Sequence, residues 1–68
     1  MIYGISRISR IKTDKGKTIR VYPKTKSRRK IRFMQYESNM LLCFNGQNIL
    51  IKSINMDHVV SISYRNND

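Results

Sequence analysis

The chain of 68 residues is poor in the residue types that build catalytic and metal sites. It has one cysteine, one histidine, four acidic residues and three isolated glycines. A lone cysteine excludes an internal disulfide, and one histidine beside it leaves no metal cluster. The glycines form no phosphate-binding loop, and the acids suggest no carboxylate pair for acid–base catalysis. The sequence therefore predicts a protein that is not an enzyme, with no catalytic residues, no metal site and no cofactor.

Cys43 and His58 are the only residues that suggest a nucleophile and a base, and their sequence context argues against that role. Cys43 lies within an apolar run, where a thiol is typically buried and inert. Asp57 is adjacent to His58 in sequence, so the two side chains need not face each other. We therefore interpret Cys43 as a core residue.

Long apolar runs are also absent. No run approaches the ~20 residues that a membrane-spanning helix needs, and no signal peptide is recognisable. We expect a soluble, cytoplasmic protein without membrane partners. A single domain of residues 1–68 supplies only ~3–5 kcal/mol from its core, so association with a second copy stays open. The lack of alanine and the many Ile, Asn and Lys residues suggest a viral, phage or mobile-element gene.

The basic residues are concentrated in the first half of the chain. Residues 1–32 carry twelve basic side chains and one acidic side chain, a net charge of +11. Residues 33–68 have a net charge of −1, and the whole chain has +10. Such a one-sided block produces a strong local potential that attracts polyanions. The charge distribution predicts a nucleic acid, DNA or RNA, as the partner, with an acidic protein as the alternative.

Residues 40–65 are predicted to form an apolar meander of three antiparallel strands. The first two apolar runs flank Asn45-Gly46, a strong hairpin signal because glycine tolerates the positive φ of tight turns. A three-residue turn matches apolar side chains better than a two-residue turn. The predicted register pairs Cys43 with Ile49 and Leu41 with Ile51.

The third strand of this meander shows strict alternation of apolar side chains. Val60, Ile62 and Tyr64 share one face, which is the period of a half-buried strand. Before it, Asn55 can cap one helical or 3₁₀ turn through residues 56–58. We therefore expect a short 3₁₀ turn before the last strand.

Residues 5–32 are predicted to form a basic hairpin followed by a basic loop. Apolar residues three apart in residues 5–11 fit a strand with a bulge, or a short helix as the alternative. A turn at residues 14–16 would place Ile11 opposite Ile19. The next strand, residues 18–22, ends at Pro23, because proline cannot donate to a sheet ladder. The basic loop spans residues 24–30, and a further strand spans residues 31–36.

Short strands with frequent turns predict an all-β fold, a small antiparallel barrel of about five strands. The order of elements over residues 8–64 resembles SH3-type and Sm-type small barrels. The resemblance is one of pattern, since residues 34–37 and 52–54 differ from the Sm motifs, and it transfers no functional residue. The predicted core is Ile11, Ile19, Val21, Ile31, Phe33, Leu41, Cys43, Ile49, Ile51, Ile54, Val60 and Ile62.

The candidate nucleic-acid site combines the basic side chains of the first half with two tyrosines. Lysines on turns suit phosphate contacts, and arginines and tyrosines on a sheet suit stacking and bidentate contacts. We expect Arg20, Tyr22, Arg32, Met34 and Tyr36 to share an outward platform. The predicted binding residues are Arg7, Arg10, Lys12, Lys15, Lys17, Arg20, Tyr22, Lys24, Lys26, Arg28, Arg29, Lys30, Arg32 and Tyr36.

The sequence thus predicts a non-catalytic nucleic-acid-binding module. The alternative is a small viral or mobile-element protein that binds and inhibits or redirects a host or defence protein. That protein would present an acidic or nucleic-acid-binding surface, and a cationic partner would associate with it quickly and in a salt-sensitive way.

Overall fold

The computed structural model describes residues 8–65, which form an all-β fold. The six strands are β1 Ile8–Thr13, β2 Thr18–Arg20, β3 Ile31–Glu37, β4 Met40–Asn45, β5 Leu50–Asn55 and β6 Val59–Tyr64. A 3₁₀ turn, Met56–His58, precedes β6, and the Asn55 side chain accepts a hydrogen bond from the Asp57 amide at 2.8 Å. The all-β prediction and the capped turn are therefore confirmed.

The strands form two antiparallel sheets, with the orders β2-β1-β6 and β3-β4-β5. The expected closed barrel is not found in the described part of the chain. Between the two sheets the structure has one isolated bridge, from Val21 to Ile31, and it is parallel. Because β2 has only three residues and Pro23 follows it closely, the chain leaves the ladder before a continuous strand can join the sheets. No helix within residues 8–65 is long and apolar enough to cross a membrane.

The β1–β2 hairpin forms as the sequence predicts. Asp14, Lys15 and Gly16 make the loop, and Gly16 has a φ of 79°. Ile11 lies opposite Ile19 on β2 and opposite Ile62 on β6. The strand interpretation is confirmed for Ile8 to Ile11, and residues 5–7 lie outside the described residues.

The hydrophobic core draws side chains from both sheets. Six predicted core residues are buried, and Ile19 and Ile62 pack against them half-buried. Ile8 and Met34 are also fully buried, although Met34 is predicted to point outward. The buried apolar residues are Ile8, Ile11, Val21, Ile31, Met34, Leu41, Cys43 and Ile54.

The prediction that Ile49, Ile51, Val60 and Phe33 belong to the core is wrong. β-bulges explain the errors at Val60 and Phe33, and the β4–β5 register described below explains the error at Ile51. Ile51 has no partner between the pairs Cys43–Lys52 and Phe44–Leu50, and Val60 has none between Lys12–Ser61 and Thr13–Val59. An extra residue in one strand shifts the following side chains to the opposite face. Val60 is consequently 66% exposed. The same shift at Arg32 moves Phe33 off the core face and Met34 onto it.

The register of the β4–β5 hairpin also differs from the prediction. Leu41 pairs with Ile54 and Cys43 pairs with Lys52. The loop lies one residue later, because Asn48 rather than Gly46 takes the left-handed conformation, with a φ of 64°. Asparagine tolerates this region through local hydrogen bonding.

Asn45 at the end of β4 holds this turn together. Its side chain is 2% exposed and accepts hydrogen bonds from the amides of Gln47 and Ile49, each at 2.9 Å. Its Nδ2 donates to the Arg28 carbonyl oxygen at 3.0 Å. One buried polar side chain thus satisfies groups on two separate loops, as buried polar atoms must be satisfied.

Replacing Asn45 with alanine should destabilise the fold. The change leaves three backbone groups without their partner, and we expect a loss of at least about 2 kcal/mol in the free energy of unfolding. Urea denaturation measures this loss. Gln47→Ala is the matched control, because it keeps the backbone amide that Asn45 binds, and it should shift stability by less than about 0.5 kcal/mol. Equal stability of both variants would contradict the role of Asn45.

Candidate nucleic-acid interface

The outer surface of the β2-β1-β6 sheet is basic. Directly opposite residues in antiparallel strands project to the same face, and Ile11 with its partners Ile19 and Ile62 faces the core. The alternate positions therefore project outward. We call them the basic face, which consists of Arg10, Lys12, Thr18, Arg20, Ser61 and Ser63.

The basic face contains an unfavourable pair of like charges. Arg10 lies directly opposite Arg20 across β1 and β2, and both side chains are exposed. Like charges directly opposite each other destabilise a sheet. Within residues 8–65 the one close contact between a basic and an acidic side chain joins His58 to Asp14, so neither arginine has a carboxylate partner there. An anion bound between the two guanidinium groups would remove the repulsion.

The tip of the β1–β2 hairpin borders a recess that the sequence did not predict. Lys15 and Lys17 line it together with Lys52 and His58 from the second half of the chain, around a volume of about 220 Å³. His58 Nδ1 lies 2.9 Å from Asp14 Oδ2, and the Asp14 amide donates to the His58 carbonyl oxygen. The partner of His58 is thus Asp14, 44 residues away, which no local sequence signal could indicate.

The basic loop of residues 24–30 is fastened to the β4–β5 turn. The Gly46 amide donates to the Ser27 carbonyl oxygen at 2.9 Å, and Asn45 binds the Arg28 carbonyl oxygen. Gly46 is required for this approach, because a Cβ there would lie 2.5 Å from the Lys26 backbone. Within the loop, the Ser27 and Arg29 amides donate to side-chain hydroxyls. The loop therefore presents its charges, which are all exposed, from a defined backbone.

Tyr22 lies where β2 leads into this loop and forms one wall of an open cleft. Its side chain is 42% exposed. The cleft has a volume of about 410 Å³ and is lined by Tyr22, Pro23, Lys24, Thr25 and Lys30. The Lys30 ammonium group lies 4.8 Å from the centroid of the Tyr22 ring, within the range of a cation–π interaction. The cleft, called the Tyr22 cleft below, thus combines an aromatic surface with two lysines.

The expected platform of two arginines, two tyrosines and Met34 does not form. Met34 is in the core, and Arg32 occupies a bulge on β3. The Arg32 guanidinium binds the Asn48 side chain and lies 5.6 Å from the Phe33 ring. Arg20 and Arg32 belong to different sheets, so only Arg20 belongs to the basic face.

Tyr36 lies near Tyr64 rather than near Tyr22. Burial, with smaller contributions from the charge and hydrogen bond of Tyr64, raises the pKa of Tyr36. Tyr64, the last residue of β6, is thus the ionisable side chain that affects the Tyr36 phenol. Tyr36 is exposed on β3 and does not line the cleft beside Tyr22.

The predicted binding residues thus fall into separate groups. Arg10, Lys12 and Arg20 share the basic face. Lys15 and Lys17 border the recess at the hairpin tip. The largest group lies in and next to the basic loop of residues 24–30. Arg7 lies outside the described residues. The loop group comprises Tyr22, Lys24, Lys26, Arg28, Arg29 and Lys30. Comparison of the chain with family models, curated proteins and solved structures finds no match.

Cys43 is a residue of the hydrophobic core. It is fully buried on β4, and burial raises the pKa of its thiol to about 11. A protonated, buried thiol is a poor nucleophile. In residues 8–65 no group of three or more His, Cys, Asp or Glu side chains could hold a metal ion.

The raised pKa of Cys43 predicts a loss of stability at alkaline pH. The thiol ionises near its ordinary pKa of 9.0 when unfolded and at about 11 when folded. Between these values the unfolded chain binds fewer protons, so the free energy of unfolding falls as pH rises. We expect a fall of up to about 2–3 kcal/mol for the parent relative to Cys43→Ala, measured by urea denaturation across this pH range. Rapid labelling of the native thiol near neutral pH would contradict this assignment.

Proposed function

We propose that this protein is a non-catalytic nucleic-acid-binding module that holds the phosphate backbone on the basic face. The cross-strand pair Arg10–Arg20 carries the proposal, because two guanidinium groups on one side of a sheet form a site for an oxyanion. Lys12 extends the charge along β1. Thr18, Ser61 and Ser63 add hydroxyl groups that can donate to phosphate or sugar oxygens.

The charge distribution supports a polyanion rather than a small anion. The basic loop, with five basic residues in residues 24–30, follows directly after the strand that carries Arg20. A backbone with repeated phosphates can contact the face and the loop together, and each contact releases bound counterions. The fastening of the loop by Asn45 and Gly46 reduces the entropy cost of binding.

We also infer that the two sheets form an open version of an SH3-like small barrel. The order of six short strands and the 3₁₀ turn before β6 support this assignment. The packing of residues from both sheets into one core supports it as well. In such an arrangement the outer surface of each sheet stays free for a ligand.

Removing the two arginine charges should weaken binding and reduce its salt dependence. Arg10→Gln and Arg20→Gln each delete one proposed phosphate contact. We expect weaker binding of every sequence tested, and a salt slope smaller by about 0.7–0.9 for each phosphate that is no longer neutralised. Fluorescence anisotropy with a labelled oligonucleotide at several salt concentrations measures both quantities.

The matched controls for this test keep the charge. Arg10→Lys and Arg20→Lys should leave the salt slope close to the parent value, while the loss of bidentate geometry lowers affinity moderately. Unchanged binding of the double variant Arg10→Gln, Arg20→Gln would exclude the basic face as the phosphate site.

Protein binding is a second candidate function, favoured by the outer surface of the β3-β4-β5 sheet. The Phe33 and Phe44 rings stack with their centroids 4.9 Å apart, and both are only half-buried. Leu50, opposite Phe44 on β5, is 50% exposed. β5 is an edge strand of its sheet, and exposed apolar edges favour pairing with another chain. The segment that forms this sheet, residues 31–55, contains two basic residues and one acidic residue, a net charge of +1, so two copies would repel each other little at this face.

Self-association through this surface predicts a concentration-dependent oligomer. Sedimentation at micromolar protein should show species larger than the monomer, and Leu50→Lys should return them to monomer by placing a charge in the apolar face. Val60→Lys, at an exposed position on the other sheet, is the control and should leave association unchanged. A parent protein that stays monomeric would remove the second copy as a partner.

A further inference from the structure

We propose that the Tyr22 cleft binds one unpaired nucleobase, so that the nucleic acid bound by this protein is single-stranded. This inference rests on the proposed nucleic-acid function and adds the class of strand. The observation that supports it is the position of the exposed Tyr22 ring, which lies beside Lys24 and Lys30 and follows two residues after Arg20, the last residue of β2.

The chemistry of the cleft matches a nucleotide. Tyr22 and Pro23 offer flat apolar surfaces for a base, and Lys24 and Lys30 supply positive charge around them. The cleft has a volume of about 410 Å³ and is largely open to solvent, which suits a base that remains attached to its backbone. Base stacking on an aromatic side chain tolerates every base, because each base has a π face.

The position of Lys30 shows that the face of the Tyr22 ring accepts a partner. Its ammonium group lies 4.8 Å from the ring centroid and is held there by a cation–π attraction that is modest at an exposed site. A base arriving on this face would displace the ammonium group. Lys30 would then be free to contact the phosphate of the same nucleotide.

The spacing between Arg20 and Tyr22 connects the cleft to the basic face. Exposed Thr18, Arg20 and Tyr22 alternate with Ile19 and Val21, which face the core. Two residues of extended chain span roughly 7 Å, so the ring follows the guanidinium group on the same side. A strand whose phosphate lies on Arg20 can therefore reach Tyr22 with a neighbouring base.

A duplex does not meet these requirements. Its bases are stacked and paired, and an aromatic ring reaches their faces only after a base has been unstacked and unpaired at a cost in free energy. The walls of the cleft are also held in place, since the Thr25 amide donates to the Tyr22 carbonyl oxygen at 3.0 Å and the Tyr22 amide donates to the Ile31 carbonyl oxygen at 2.7 Å. A preformed cleft of this size selects a strand whose bases are already free.

The test compares a labelled single strand of mixed sequence with its matched duplex by fluorescence anisotropy, using the full chain. We expect the parent to prefer the single strand. Tyr22→Ala should weaken single-strand binding about 5- to 150-fold, leave duplex binding unchanged, and leave the salt slope unaltered because no charge is removed. Tyr22→Phe keeps the ring and should bind like the parent. Circular dichroism verifies that both variants are folded.

The outcomes separate this inference from the function on which it rests. Equal binding of single strand and duplex, with no effect of Tyr22→Ala on either, would overturn the single-strand inference and leave the nucleic-acid function standing. A loss of affinity with Tyr22→Phe as large as with Tyr22→Ala would overturn stacking as the mode of contact. Absence of binding to both nucleic acids by the parent would overturn the proposed function itself.

Discussion

The hydrogen bonds of the buried Asn45 side chain are the contacts on which the arrangement of this protein depends. They close the β4–β5 turn and, through the Arg28 carbonyl oxygen, hold the most basic segment of the chain against the apolar meander. Gly46 completes the junction by letting the loop backbone approach closely. A highly charged loop would otherwise extend away from the domain, since like charges repel each other.

The two sheets divide the surface into regions of different chemistry. The outer surface of β2-β1-β6 carries arginine, lysine and hydroxyl groups, and the outer surface of β3-β4-β5 carries apolar side chains such as Phe33 and Phe44. The inner surfaces share one core. Under the proposed function, the first surface would bind a polyanion and the second surface a protein.

β-bulges and strand register determine which side chains face the core, and simple alternation in the sequence does not reveal either of them. Simple alternation predicted Ile51 and Val60 as core residues and Met34 as exposed, and each of these predictions is wrong. The errors at Val60 and Met34 follow from one extra residue in a strand, at Val60 and Arg32. The error at Ile51 follows from the β4–β5 register, which places Ile54 rather than Ile51 opposite Leu41. An inserted residue changes the face of its neighbours but leaves the composition of the strand unchanged. The hairpin at residues 14–16 has no such shift within its paired residues, and its register is predicted correctly.

The sequence by itself determined the all-β class, the β1–β2 hairpin, the capped 3₁₀ turn and the concentration of positive charge before residue 33, because these depend on local conformational preference and on composition. Only the tertiary structure decided which charges of distant segments lie together. The predicted hairpin register already pairs Arg10 with Arg20, but only the folded chain places Arg32 on the other sheet and brings Lys52 to the hairpin tip from the second half of the chain. Such contacts depend on register and on packing between sheets, and both arise from non-local pairing that no single segment specifies.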